Sequence, residues 1–272
     1  MIIRHVTTRA IATKSKLPDA DFVINPYTGC THGCVYCYAE FMCRFTGHAG
    51  EKWGTFMDVK EGGRMPGPRV LKGKTILIGS VTDPYNHLEK KYQKTRSILT
   101  RLEELDAQVE ILTKSPLVLR DMDILGRLKN LRVGLSFSTM DADLARLIEP
   151  RAASPGDRLE TLKQLNAAGI AAYAFVSPLF PLLSDYRKIA EAVEKYAAYI
   201  CFENLNLRGS YKKAVLELIK KNYPEQYHDF AAVYQSKDEF NTYWRKKEKE
   251  IRAYMKGKCY RIYFFHSDIK KR

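Results

Sequence analysis

The feature that most restricts what this chain can fold into is a repeated alternation of short β-branched runs with longer amphipathic stretches. Strand-like runs fall near residues 22–25, 75–80, 109–113, 132–138, 170–176 and 199–204. Between and around them lie helical patterns near 36–45, 90–105, 117–128, 142–147 with 158–168, and 185–196. Strands alternating with helices of this length read as βα units, and six of them predict an α/β fold built on a parallel sheet. Asp157 ahead of Arg158, and Gly169 after Ala168, supply start and stop signals for the helix between them.

A chain of 272 residues makes one large domain or two small ones. Its longest apolar runs, such as Ile76-Leu77-Ile78, are far below the roughly 18 to 20 residues that span a bilayer, so no membrane partner is expected. The basic start lacks a continuous apolar segment and a small-residue cleavage site, which makes the cytoplasm the expected compartment. Against 31 Asp+Glu stand 45 Lys+Arg, a net charge of +14 that favours an anionic partner. More than half of that excess falls in residues 210–272, where tyrosines interleave with lysines and arginines.

Six cysteines are present, and Cys30, Cys34 and Cys37 fall within eight residues. Without a secretion signal, so tight a cluster points to metal binding or catalysis rather than a disulfide framework. Structural zinc wants four ligands, commonly in two separated pairs, and here the fourth is missing. Three thiolates can instead hold three irons of a 4Fe-4S cube and leave the fourth iron open to an exogenous ligand.

The spacing Cys30-x-x-x-Cys34-x-x-Cys37, with Tyr36 just before the last cysteine, resembles the radical S-adenosylmethionine (SAM) superfamily. The resemblance implies a 4Fe-4S cluster and SAM as cofactors and a partial (β/α)6 TIM-type barrel. It also implies reductive cleavage of SAM to methionine and a 5'-deoxyadenosyl radical, and an electron donor such as flavodoxin or ferredoxin. The segments NPYTGCTHGCVYCYAE, GSVTDPYNHLEKKYQKTR, TKSPLVLRDMDIL and SFSTMDADLARLIEPRAASPGDRLE are similar to the branch that contains spore photoproduct lyase. Carried over residue by residue, this places Cys30, Cys34 and Cys37 on the irons and Tyr36 and the Thr82-Asp83 loop beside the cofactor. Lys114 and Ser136 fall near the methionine carboxylate, with Ser80, Ser138 and Arg151 completing the expected cofactor set. In that branch a further cysteine near the end of the second strand is thought to return a hydrogen, with tyrosines relaying it. Tyr36 and Tyr38 are retained, but Ser80 stands where the cysteine aligns, which leaves the family as an assignment of fold and cofactor rather than of substrate.

Cys43 is an auxiliary ligand or thiol, or packed core, and joins Tyr36 and Tyr38 as a candidate catalytic residue. Cys201 reads as core, Cys259 as distant, and His32 and His48 as hydrogen-bonding groups beside three sufficient thiolates. The expected organisation is a barrel over 1–205, with its cluster loop at 26–43, and a basic, mainly helical C-terminal extension over 206–272. That extension reads as helices at 210–221, 225–235 and 237–255 and a strand at 260–265, forming either a nucleic-acid surface or a packed cap on the barrel's open side. Three functions follow: a radical SAM enzyme, such as a lyase, acting on DNA, RNA or another anionic substrate; the same chemistry on a peptide or small metabolite; or a non-catalytic metal module that binds nucleic acid.

Overall fold

In the computed structural model, which describes residues 1–265, the strands are β1 (Ile2–Ala10), β2 (Ala12–Lys14), β3 (Phe22–Ile24), β4 (Tyr27–Thr28), β5 (Phe56–Arg64), β6 (Thr75–Ile78), β7 (Gln108–Thr113), β8 (Leu131–Phe137), β9 (Ala172–Leu179), β10 (Ile200–Asn204) and β11 (Tyr260–Ile262). Eight of them form one sheet in the order β11-β10-β9-β8-β7-β6-β3-β2. From β3 to β11 every pairing in it is parallel, and β2 closes the edge antiparallel to β3. All six strands read for the βα units are present in this α/β partial barrel; the strand read at 260–265 is β11, which joins the barrel sheet rather than staying within the extension, and β2 adds at the other edge. A three-stranded sheet, β1-β5-β4, was not anticipated. Its strands are hard to read because β1 is largely exposed and β5 ends in Lys-Glu-Gly-Gly-Arg, neither of which shows an apolar period.

One face of the large sheet is a layer of branched side chains, including Ile76, Ile78, Val109, Ile111, Val133 and Val176, packed on helix residues such as Leu99, Leu102, Leu162 and Ile189. This is the burial that drives the fold, at roughly 25 cal/mol per Å² of apolar surface removed from water.

Several helices differ from expectation for local reasons. The helix expected over 90–105 is interrupted at Gln93, whose φ of 48° divides Glu89–Tyr92 from Lys94–Leu102. The buried Glu89 carboxylate compensates by accepting from the Thr95 and Arg96 amides, at 3.0 and 3.3 Å. The helix Pro155–Ala167 begins earlier than Asp157, because Ser154 is the cap and Asp157 answers it in a capping box, while Pro155 occupies a position that needs no N–H donor. Both Tyr38–Phe45 and Pro116–Asp121 are 3-10 helices rather than α-helices.

Helices Tyr211–Asn222, Pro224–Ala232 and Lys237–Tyr254 carry the chain back to β11, which adds to the barrel sheet beside β10. Trp244 and Tyr211 are buried, and Tyr234, Tyr243 and Tyr254 pack against core clusters. These aromatic residues therefore serve packing rather than a displayed stacking surface. The end of the expected 206–272 extension, from residue 266, lies outside the described residues. No helix among the described residues is long and apolar enough to cross a membrane.

Candidate cluster and cofactor site

The cysteine loop leaves β3 at Asn25, and its path is fixed by short-range bonds. Gly33 N–H donates to Cys30 C=O and Cys37 N–H to Cys34 C=O, both at 3.2 Å, while Val35 N–H reaches across to Ile148 C=O at 2.9 Å. Gly29 has φ +92°, and a Cβ there would stand 2.5 Å from the Phe56 carbonyl, so the loop lies flat on β5 only with glycine at that position. The Thr82 hydroxyl donates to Gly29 C=O at 2.5 Å.

Around this loop the carboxyl ends of the barrel strands supply polar groups, as barrel sites do. Asp83 accepts from the Thr113 hydroxyl at 2.6 Å, the Lys114 amide at 2.7 Å and the Tyr85 amide at 2.9 Å. Both of its oxygens are thus spent on shaping the strand ends, and buried His32 lies 3.4 Å away. Ser80 accepts from the Asn25 side chain at 2.9 Å, and its carbonyl receives the Tyr38 hydroxyl. The Ser136 carbonyl accepts from Arg158 at 3.0 Å.

Next to these ends lies a buried knot. The Tyr36 hydroxyl donates to Glu149 and sits 3.1 Å from the Ser138 hydroxyl, which itself donates to Glu149 at 2.7 Å. Glu149 is ion-paired with Arg158, and both side chains are almost wholly buried. Burial pushes the Glu149 carboxyl up, but the Arg158 guanidinium and the Lys114 ammonium overrule it and hold it at about 2. For Lys114 the balance is the reverse: burial works against its charge, yet Glu149 and Cys34 prevail and keep it above the usual lysine value. Among the described residues its ammonium forms no hydrogen bond or ion pair, and it lies 5.8 Å over the Tyr36 ring.

The three cysteines are free thiols. Burial pushes each up to about 12, with nearby Asp83 and Cys37 adding to it at Cys30, Glu149 and Cys30 at Cys34, and Cys34 at Cys37. Thiols so placed ionise readily only when a metal supplies positive charge. The buried Trp53 indole N–H has no hydrogen-bond partner among the described residues, yet it faces Cys37 closely enough to favour that residue's thiolate. An N–H donor awaiting a negative sulfur is what a cluster ligand would satisfy, so the donor set fits an iron-sulfur group. No three His, Cys, Asp or Glu side chains among the described residues surround a single-ion position. Thiolates on a 4Fe-4S cube need not do so, because each takes a different iron.

The other expected residues sit apart from one another. Tyr38 is 53% exposed and begins the 3-10 helix after Cys37. Cys43 is half-buried farther along that helix, with Sγ 3.9 Å from the Glu51 carbonyl. Arg151 donates to the Thr31 and Gly54 carbonyls, at 2.6 and 2.8 Å. His48 is a buried bridge to Glu51 and Asp58 at 2.8 and 2.9 Å, and Cys201 is buried on β10 while Cys259 is exposed. Sequence reading missed Glu149, Arg158 and Trp53. The first two look like solvated charges in Glu149-Pro150-Arg151 and Asp157-Arg158, and only the tertiary fold reveals their burial.

Comparison with known proteins matches residues 24–194 to the model of the radical SAM superfamily. An uncharacterized protein of Methanocaldococcus jannaschii is 39% identical over 216 residues, which cover 78% of this chain and 80% of that one. A second uncharacterized protein, from Acidianus two-tailed virus, is 30% identical over 193 residues, covering 66% of this chain and 64% of its own length. Among solved structures, a spore photoproduct lyase tyrosine-to-phenylalanine mutant has a TM-score of 0.67 at 14% identity, covering 97% of this chain and 82% of that one. A cysteine-to-alanine mutant of the lyase with a dinucleoside spore photoproduct has a TM-score of 0.60 at 16% identity, over 82% of this chain and 66% of the other. At such identities the likeness is one of fold.

Proposed function

The chain belongs to the radical SAM superfamily, and from that membership we propose that it is a cytoplasmic enzyme that abstracts hydrogen from a nucleic acid or another anionic substrate. A 4Fe-4S cluster held on Cys30, Cys34 and Cys37, given one electron from a donor such as flavodoxin or ferredoxin, would cleave bound SAM to methionine and a 5'-deoxyadenosyl radical able to take the hydrogen.

Cys30, Cys34 and Cys37 would hold the cluster, and the Trp53 indole N–H, without a partner among the described residues, is placed to donate to a Cys37 thiolate. The observation that carries the cofactor assignment is Lys114, a partly buried ammonium beside Cys34 and Tyr36 with no hydrogen bond of its own among the described residues. A carboxylate is the ligand that satisfies such a cation, and Lys114 with Ser136 is suited to the methionine carboxylate. Tyr36 stays protonated, since burial and then Glu149 raise its pKa well above the usual tyrosine value, so it anchors the loop rather than exchanging a proton. Thr82, Asp83 and Ser138 shape the walls of the site. Glu203 at the end of β10, which accepts from the Ser177 hydroxyl at 2.5 Å, extends that wall.

Support for an anionic substrate comes from the +14 charge and from a surface groove where Lys212, Lys213 and Lys220 outnumber Glu217, although Lys213 pairs with Glu217 at 3.9 Å and Lys212 donates to Tyr234 C=O at 3.1 Å. Ser210, at the lip of that groove, donates to Glu40 at 2.5 Å and so ties it to the helix carrying the exposed Tyr38, Phe41 and Phe45 rings. Cations beside exposed rings suit a polyanion with stacking bases. Fluorescence anisotropy with a labelled single-stranded oligonucleotide tests this. The reading expects binding that weakens steeply with salt and is reduced in K212E/K213E. Salt-independent binding, or none at low salt, would turn the substrate assignment toward a peptide or small metabolite.

A further inference from the structure

The turn that follows the helix Ala142–Ile148 grips the cysteine loop at successive points. Ile148 C=O accepts from Val35 N–H, and Glu149 accepts from the Tyr36 hydroxyl. Two residues on, the Arg151 guanidinium bridges Thr31 C=O and Gly54 C=O. The space it occupies exists only because two residues lack side chains. A Cβ on Gly33 would fall 2.2 Å from Arg151 Nη2, and one on Gly54 would fall 2.3 Å from the same atom and 2.7 Å from the Gly33 Cα. Both glycines have positive φ, +58° and +87°. A planar cation is therefore wedged where the segment carrying Cys30 and Cys34 meets the segment carrying Trp53. The turn itself is held from behind by Arg158, which donates from Nε to Ala153 C=O at 2.9 Å and pairs with Glu149.

The geometry points to Arg151 as a positioning residue of the cluster loop: a fixed cation, sandwiched by Gly33 and Gly54, that sets the loop's conformation and makes the group held there easier to reduce. This rests on the reading that Cys30, Cys34 and Cys37 hold the cluster. The Nε and Nη2 donors of Arg151 are committed to two backbone carbonyls, so it acts on the cysteines through the loop rather than by donating to a sulfur. Its action is in part electrostatic: each electron added to a thiolate-bound cluster makes it more negative, and a nearby fixed positive charge favours that state. The other part is mechanical. Charge-assisted bonds to two carbonyls hold residues 31 and 54 together, and arginine does this with a fork that lysine cannot reproduce.

The test uses the full chain with Arg151→Gln and Arg151→Lys. In metal-free protein, alkylation of Cys34 by iodoacetamide, followed by mass spectrometry, should be roughly tenfold faster in R151Q, with buried Cys201 unchanged as the control for global loosening. After anaerobic reconstitution, R151Q should show a more negative midpoint potential by EPR-monitored titration. R151K should keep the potential near wild type while its Cys34 reacts faster than in wild type, which separates charge from geometry. An R151Q protein matching wild type in both alkylation and potential overturns the inference. Equal acceleration of Cys34 and Cys201 also overturns it, by showing a structural role only. A wild-type chain that assembles no cluster would instead remove the reading beneath the redox half, and the alkylation comparison would still decide the mechanical half.

Discussion

At the amino end of the barrel a group of polar side chains is spent on one another, whereas at the carboxyl end, among the described residues, the Lys114 ammonium and the Asn204 amide nitrogen form no hydrogen bond. In the lower layer Glu110 accepts from the Tyr173 hydroxyl, and the Tyr173 and Tyr199 rings stack at 4.7 Å. Arg132 and Arg261 lie over the Tyr199 ring at 6.0 and 4.9 Å, and Asp19 from the β2–β3 turn receives Tyr263 and pairs with Arg261 at 3.8 Å. Asp19 thereby ties the two ends of the open sheet together. At the mouth, Glu149 and Arg158 neutralise each other, but among the described residues the Lys114 ammonium donates to no side chain or carbonyl. The same sheet thus closes one end by mutual satisfaction and leaves polar groups at the other, the end where barrel folds carry their sites.

That contrast can be broken most forcefully at Glu149. Glu149→Gln strands a buried guanidinium, and a loss of about 3–5 kcal/mol in a denaturant melt is expected. The wild type should show the corresponding pH dependence: with the carboxyl held at about 2 against an ordinary value near 4.5, its stabilisation is complete above pH 4.5 and fades as the pH falls toward 2. Thermal melts across that range should show the acid-side loss in wild type and a flatter profile in the variant. Lys114→Met comes next. It should lower the melt by less than Glu149→Gln does, because Lys114 only assists Arg158 in holding the Glu149 carboxyl down, and weaken SAM binding, measured by calorimetry on reconstituted protein, by roughly 10- to 100-fold for a lost charged hydrogen bond. Unaltered affinity would erase the proposed difference between the two ends. Tyr173→Phe, at the closed end, is the smallest change. It should cost about 1 kcal/mol of stability and leave SAM affinity at the wild-type value, and a drop in affinity would show that the lower layer is part of the site.

Much of this architecture is legible in the amino-acid order because runs such as Thr75–Ile78 and Leu131–Phe137 are branched, short and bounded by polar residues. The cysteine loop is legible for a different reason: its three cysteines are local in sequence. What escapes sequence reading is whatever depends on distant partners. Nothing near Glu149 announces that Tyr36, 113 positions earlier, will donate to it, and Arg151, expected beside the cofactor from the resemblance, gives no local sign that Gly33 and Gly54 lie on either side of it. The tyrosines after residue 210 leave display and packing both open, because interleaving with lysines suits either, and the fold packs Tyr211, Tyr234, Tyr243 and Tyr254 against the core.

The central claim is that the carboxyl end holds a cluster on three cysteines and uses SAM there. It is tested most directly by reconstituting the protein anaerobically with iron and sulfide, reducing it with dithionite, adding SAM and quantifying 5'-deoxyadenosine for wild type and Cys34→Ala. The account predicts deoxyadenosine from wild type and none above background from C34A. A wild-type chain that binds zinc in place of iron-sulfur, or a C34A variant that forms deoxyadenosine as fast as wild type, would contradict it.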